Sequence, residues 1–254
     1  MEVSILGSGT SSGVPRVGND WGVCDPANPK NRRRRVSILV RHEKARILVD
    51  TGPDLREQLL DANITDVDAV LWTHDHADHC HGIDDLRQLF HARRRPVAGF
   101  ARQATLESLR HRFAYAFEGI SGYPPVASVD LLPDHMNVAG ISVQVIDQPH
   151  GDITTAGLRF DAGGKTVVYS TDFNELTPDM EYRFEGCDLW IVDCLRRRPH
   201  PTHPHLDEAL EWIGRIGAKH AVLTHMDNSM DYETLLGELP DGVEPAYDGM
   251  EIVL

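Results

Sequence analysis

Two kinds of apolar pattern alternate along the chain. Short continuous or alternating runs rich in Val, Ile and Leu predict strands, and apolar positions recurring every three to four residues predict helices. The first kind covers Val3–Leu6, Ser37–Arg41, Arg46–Val49, Ala69–Trp72, Ser142–Ile146, Gly157–Asp161, Thr166–Ser170, Leu189–Val192, Ala221–Leu223 and Glu251–Leu254. The second covers Pro53–Asp61, Asp84–His91, Gln103–Phe113, Leu206–Ile216 and Tyr232–Leu236. Gly163-Gly164 between two strand-like runs predicts a hairpin turn. Pro53 is expected in the first turn of its helix, where its missing N–H has no bond to lose. Strands come in adjacent pairs early and alternate with helices later, which predicts an α/β fold of two sheets sandwiched between helices. The Gly/Pro/Asn-rich stretch from Ser8 to Asn31 and the one from Gly119 to Pro133 read as long connections, a kind that is usually functional. Neither reads as a boundary, so residues 1–254 are expected to form a single domain.

Composition narrows the classes. Apolar residues make up 41% of the sequence, enough for a sizeable core. No run approaches the roughly 18–20 apolar residues of a membrane span, and the first residues lack the basic-then-apolar pattern of a signal peptide. The four cysteines, Cys24, Cys80, Cys187 and Cys194, are too scattered for a disulfide scaffold, so free buried thiols and a cytoplasmic location are expected. The formal charge of −14 disfavours a large nucleic acid as partner. The arginine runs Arg32 to Arg35, Arg93 to Arg95 and Arg196 to Arg198 read first as solvated charged faces. Nothing fixes the oligomeric state, and a homodimer is compatible with the sequence.

The chemistry concentrates in Trp72-Thr-His74-Asp-His76-Ala-Asp78-His79-Cys-His81, directly after an apolar strand. A tight loop can turn His74 and His76 toward one point and Asp78 and His79 toward a neighbouring one. Imidazole and carboxylate suit divalent zinc, manganese or iron. His81 falls outside that spacing and fits a capping or supporting part.

This spacing resembles the metallo-β-lactamase superfamily, whose fold is a four-layer αβ/βα sandwich of two mixed sheets flanked by helices. The resemblance extends to His150, Asp172 and His225, each just beyond an apolar strand, and to Asp50 in Leu48-Val-Asp-Thr-Gly52. It implies two divalent metal ions, zinc or manganese. His74, His76 and His150 would hold the first ion and Asp78, His79 and His225 the second, with Asp172 bridging and Asp50 orienting an imidazole or the loop. A metal-bridging hydroxide would be the nucleophile.

Within the superfamily, Leu6-Gly-Ser-Gly-Thr-Ser-Ser-Gly13, Asp50-Thr-Gly-Pro53 and Tyr247-Asp-Gly-Met-Glu251 are similar to the branch of the phosphoribosyl 1,2-cyclic phosphate phosphodiesterase of the carbon–phosphorus lyase pathway. The resemblance implies a small anionic phosphodiester or nucleotide as substrate, with Asp78 and His203 as catalytic candidates. His203 would contact the phosphate or protonate the leaving oxygen, with His200 and His205 as rivals and Arg196 to Arg198 as further phosphate contacts. That branch has a Cys-rich early loop holding a separate structural zinc. Here only Cys24 remains and Asn228 stands where another His is expected, so that second site is expected to be absent. A thioester or lactone hydrolase and a non-catalytic nucleotide- or metabolite-binding protein are the alternatives.

Overall fold

A computed structural model describes residues 1–254. Six strands open the first sheet: β1 (Glu2–Gly7), β2 (Ser37–His42), β3 (Ala45–Val49), β4 (Ala69–Trp72), β5 (Gly99–Ala101) and β6 (Asp130–Leu131). The second sheet contains β7 (His135–Val138), β8 (Ile141–His150), β9 (Ile153–Ala162), β10 (Lys165–Ser170), β11 (Leu189–Asp193), β12 (Ala221–Thr224) and β13 (Val243–Pro245). The last strand, β14 (Met250–Val253), returns to pair with β1, giving orders β14-β1-β2-β3-β4-β5-β6 and β13-β12-β11-β10-β9-β8-β7. Helices α1 (Leu55–Asp61), α2 (Ala77–Cys80), α3 (Leu86–Arg93), α4 (Gln103–Arg112) and α5 (Ala114–Glu118) follow strands of the first sheet. Helices α6 (Pro178–Phe184), α7 (Leu206–Ile216) and α8 (Tyr232–Glu238) follow strands of the second.

Side-chain alternation sorts the layers. Ile38 and Val40 of β2, Ile47 and Val49 of β3, and Leu71 of β4 join Val143, Leu158, Val167 and Ile191 in one cluster between the sheets. Their neighbours Leu39, Leu48, Val70 and Trp72 point the other way, onto Leu55, Leu86, Leu106 and Leu109 of the helices. On the far face, Met180 and Phe184 of α6 and Ala209, Trp212 and Ile213 of α7 cover the second sheet. The expected four layers are present: helices, sheet, sheet, helices. Burying a Leu or Val side chain contributes about 1.5–3 kcal/mol, so this period-two sorting locks the register of each strand.

The predicted strands are present, with β8 and β9 both longer than the apolar pattern indicated and joined through nine paired positions. Gly163 and Gly164 both have positive φ and turn β9 into β10. The sequence gives no warning of β5, β6, β7, β13, α2, α5 or α6, most of them short or at a sheet edge. One placement is corrected: α1 begins at Leu55 behind Asp54, so Pro53 precedes the helix. The four cysteines are free and buried. No helix is long and apolar enough to cross a membrane.

Candidate metal centre

Strands β3 and β4 run parallel, as do β10, β11 and β12, so their carboxyl ends share one edge of each sheet. Just past those ends stand Asp50, His74, Asp172 and His225, with Asp193 closing β11. His150 closes β8. After β4 the chain runs through His74 and His76 and then coils into α2, which carries Asp78 and His79. Asp50, Asp172 and His225 all adopt positive φ, of 62°, 55° and 59°. A non-glycine residue in the left-handed region costs about 1–3 kcal/mol, and it is held here because the sharp turn aims the side chain across the strand ends.

The fold gathers the seven expected ligands into two sets, and His203 joins Asp172 and His225 in a third, overlapping group. One set is His74, His76, His150 and Asp172, and the other is Asp78, His79 and His225, with the donor atoms of each within 4.8 Å of one another. Asp172 faces both: Oδ1 lies 3.9 Å from His74 Nε2 and 3.8 Å from His150 Nε2, while Oδ2 lies 3.2 Å from His79 Nε2 and 3.6 Å from His225 Nε2. Asp78 Oδ2 is 3.4 Å from His79 Nε2 and 3.6 Å from His225 Nε2. Two donors each about 2.1 Å from one tetrahedral ion stand about 3.4 Å apart, so these spacings suit metal coordination. His76 is exposed, whereas the other members are buried.

The second nitrogen of each ring explains its orientation. His79 Nδ1 donates to Asp50 Oδ2 at 2.8 Å, and Asp50 is itself held by the backbone N–H and hydroxyl of Thr73. His150 Nδ1 donates to the Thr202 carbonyl at 2.9 Å. His74 Nδ1 lies 3.1 Å from Thr73 Oγ1. With the Nδ1 atoms of these rings so engaged, Nε2 faces the centre. The Nε2 atoms of His74, His79 and His225 are buried without a hydrogen-bond partner. Orphaned buried ring nitrogens are costly, and several converging on two carboxylates fit a divalent cation.

The charges of the side chains also balance one another. Burial opposes charge on His79, yet Asp172, Asp78 and Asp50 together hold it well above the usual histidine range. Burial likewise opposes charge on His225, but Asp172 and Asp193 push it up to about 9. His74 is driven well below that range, first by burial and then by the neighbouring His79. Burial opposes the anion of Asp172, but His225 and His79 hold its carboxyl well below the usual carboxylate range.

Of the three candidate loop histidines, His203 reaches the centre. Its Nε2 lies 3.9 Å from Asp172 Oδ1, and its ring stacks on His225 with centroids 4.9 Å apart. His205 pairs with Glu208, and His200 Nδ1 accepts the backbone N–H of Thr202. His81 is exposed and faces Arg112. One reading of the arginine runs changes. Arg33 is only 2% exposed, so the Arg32 to Arg35 run is no simple solvated face. Arg196 bonds the carbonyls of Arg198 and Pro199, and Arg197 pairs with Glu238. The sequence reading missed Asp193, whose Oδ2 accepts His203 Nδ1–H at 2.7 Å. Its signal was present, because Asp193 closes an apolar strand as Asp50 follows one.

Residues 45–226 match the family model described as the Beta-lactamase superfamily domain. The chain belongs to the metallo-β-lactamase superfamily. A crystal structure of a diphosphatase from the PhnP family is similar to this superfamily member over 100% of the chain and 97% of its own, with 33% identity and a TM-score of 0.89. Zinc-bound PqqB from Methylobacterium extorquens covers 100% of each chain at 21% identity and a TM-score of 0.80, a likeness of fold. The octanoyltransferase of Porphyromonas gingivalis is 34% identical across 100% of this chain, but the chain spans only 52% of that protein.

Proposed function

We propose that this chain is a binuclear metal-dependent hydrolase of small phosphodiesters. The observation that carries the reading is Asp172, whose two oxygens each face a separate set of imidazoles. In this assignment His74, His76 and His150 would hold one ion, Asp78, His79 and His225 would hold the other, and Asp172 would serve both. When bound, such ions supply an acidified water and stabilise charge building on a phosphoryl oxygen. The chain's own residues do the rest. Asp50 and the Thr202 carbonyl fix the rings of His79 and His150. His203 presents Nε2 at the edge of the cluster, where it can give a proton to the departing oxygen of the ester. The 33% identical diphosphatase supports phosphoryl chemistry.

A second reading, thioester hydrolysis, has one observation in its favour: the 34% identical relative is named an octanoyltransferase. That protein is about twice as long as the matched segment, so its name does not place acyl chemistry in this half.

The test is elemental analysis of protein purified without added metal, joined to assays with a chromogenic phosphodiester, a glutathione thioester and a lactone. Two divalent ions per chain and metal-dependent phosphodiester turnover are expected, and Asp172→Ala is expected to lose both. Turnover of the thioester alone would overturn the proposal, and undiminished activity in Asp172→Ala would overturn the bridging assignment.

A further inference from the structure

Arg112, the last residue of α4, grips the ligand loop at both ends. Its Nη1 donates to the backbone carbonyl of Asp75 and lies 3.2 Å from the Asp75 carboxylate. Its Nη2 donates to His81 Nε2 at 2.5 Å. Asp75 stands between the expected ligands His74 and His76, and His81 follows Asp78 and His79. One guanidinium therefore spans the stretch that supplies four of the seven ligands. Ser108, one turn earlier on the same face of α4, donates from Oγ to Asp75 Oδ2 at 2.5 Å. The Arg112 guanidinium carbon and the His81 ring both lie against Phe113, at 5.4 and 5.8 Å from its ring centre.

The imidazoles of the centre are not held alike. His79 leans on Asp50, His150 on the Thr202 carbonyl and His74 on Thr73 Oγ1. The His76 ring is exposed and has no hydrogen-bond partner; it meets the rings of His74 and His150 at centroid separations of 4.4 and 5.3 Å. What fixes His76 is therefore its backbone. That backbone is held from α4 through Asp75, and from within the loop by the Cys80 thiol, which donates to the carbonyls of Asp75 and His76 at 3.3 and 3.2 Å. The side chains of Arg112 and Asp75 are 31% and 33% exposed. An ion pair so open to water adds little to overall stability, so its effect falls on the geometry of the loop.

We infer that Arg112 is a positioning residue for the first ion: by fixing Asp75 and His81 it sets where His76 stands beside His74 and His150. The inference rests on the two-ion assignment proposed above, but not on a phosphodiester being the substrate.

The test titrates zinc-loaded wild type, Arg112→Ala, Arg112→Lys, His76→Ala and the Arg112→Ala/His76→Ala double variant with a zinc chelator, and records the melting temperature of each. Wild type is expected to release two ions with separate constants. Arg112→Ala is expected to weaken one ion about tenfold, as for residues that orient a ligand, and to leave the other within about threefold. His76→Ala is expected to weaken the same ion. Adding Arg112→Ala to it should cost less than about threefold more, because the side chain through which Arg112 acts is gone. Arg112→Lys, whose single ammonium reaches Asp75 or His81 but not both, is expected to recover part of the loss. Equal weakening of both ions, weakening of neither, or full additivity with His76→Ala overturns the inference. A lower melting temperature with both constants unchanged makes the role one of stability alone and overturns it too. A wild type that holds one ion overturns the two-ion assignment. Weakening of that ion in Arg112→Ala, not additive with His76→Ala, would still uphold the role of Arg112, and no weakening would remove it.

Discussion

Oδ2 of Asp193 lies 2.7 Å from Nδ1 of His203, and the same oxygen accepts the backbone N–H of Asp172 at 2.9 Å. Its other oxygen is 3.7 Å from His225 Nδ1. One fully buried carboxylate at the end of β11 thus steadies three residues of the centre. Replacing Asp193 by Asn puts an amide N–H where an acceptor is needed. We expect kcat to fall about 10–100-fold in Asp193→Asn, with a smaller change in KM, as for partners that orient a ligand or acid. Steady-state kinetics with elemental analysis checks this. Wild-type kcat in a correctly folded variant would show that His203 needs no such partner.

The loop carrying Asp78 and His79 packs directly on the turn after β3, with hydrogen bonds from Thr51 N to His79 O and from Gly82 N to Thr51 O, both 2.7 Å. Gly52 permits that approach, because a Cβ there would collide with the Asp78 carbonyl. Gly52→Ala is therefore expected to shift Asp78, lowering metal content and stability, the latter by about 1–3 kcal/mol. Metal analysis and thermal melting read the two effects. Unchanged values in both would mean that the loop adjusts freely.

Arg33 ties two loops together inside the protein. Its Nη2 donates to the Met230 carbonyl at 2.6 Å and Nη1 to that of Asp227 at 3.3 Å, with Cys24 Sγ 3.9 Å away. Arg33→Met keeps bulk but strips donors from two carbonyls. A loss of about 2–4 kcal/mol is expected, since each buried acceptor left alone costs about 1–3 kcal/mol. The midpoint of urea unfolding measures it, and a variant as stable as wild type would contradict this role.

Asp248 links the amino-terminal turn to the last strand by accepting hydrogen bonds from Ser8 N, Ser8 Oγ and Arg34 N. Burial outweighs those bonds and raises its carboxyl to about 6. The folded state therefore favours the protonated form. Its contribution to stability is full below about pH 4, the unfolded value, and is lost as pH rises through about 6. The carboxyl carbon of Asp248 is expected to titrate near pH 6 by NMR, and a midpoint below 4.5 would rule this out.

The strand cores were legible because burial on one or both faces leaves a period-two or continuous apolar trace, as in Ala69–Trp72 and Leu189–Asp193. The ligand loop was legible for a different reason: His74, His76, Asp78 and His79 are close in sequence as well as in space. Short edge strands such as Asp130–Leu131 leave no such trace, because few of their residues are buried. The role of Asp193 was hidden among other strand-end acids, because its partners His203 and the Asp172 backbone lie 10 and 21 positions away in the chain.

By itself, the sequence determined the layer order, through the alternation of its strands, and the donor types of the centre. Only the tertiary structure decided which oxygen of Asp172 faces which imidazole, which of three neighbouring histidines enters, and which arginine of the Arg32 to Arg35 run is buried. Those outcomes depend on separations of a few ångströms between residues as distant as Asp78 and His225. Such separations are set by the parallel register of strands and by strained turns at their ends, which are properties of the packed chain rather than of any one segment.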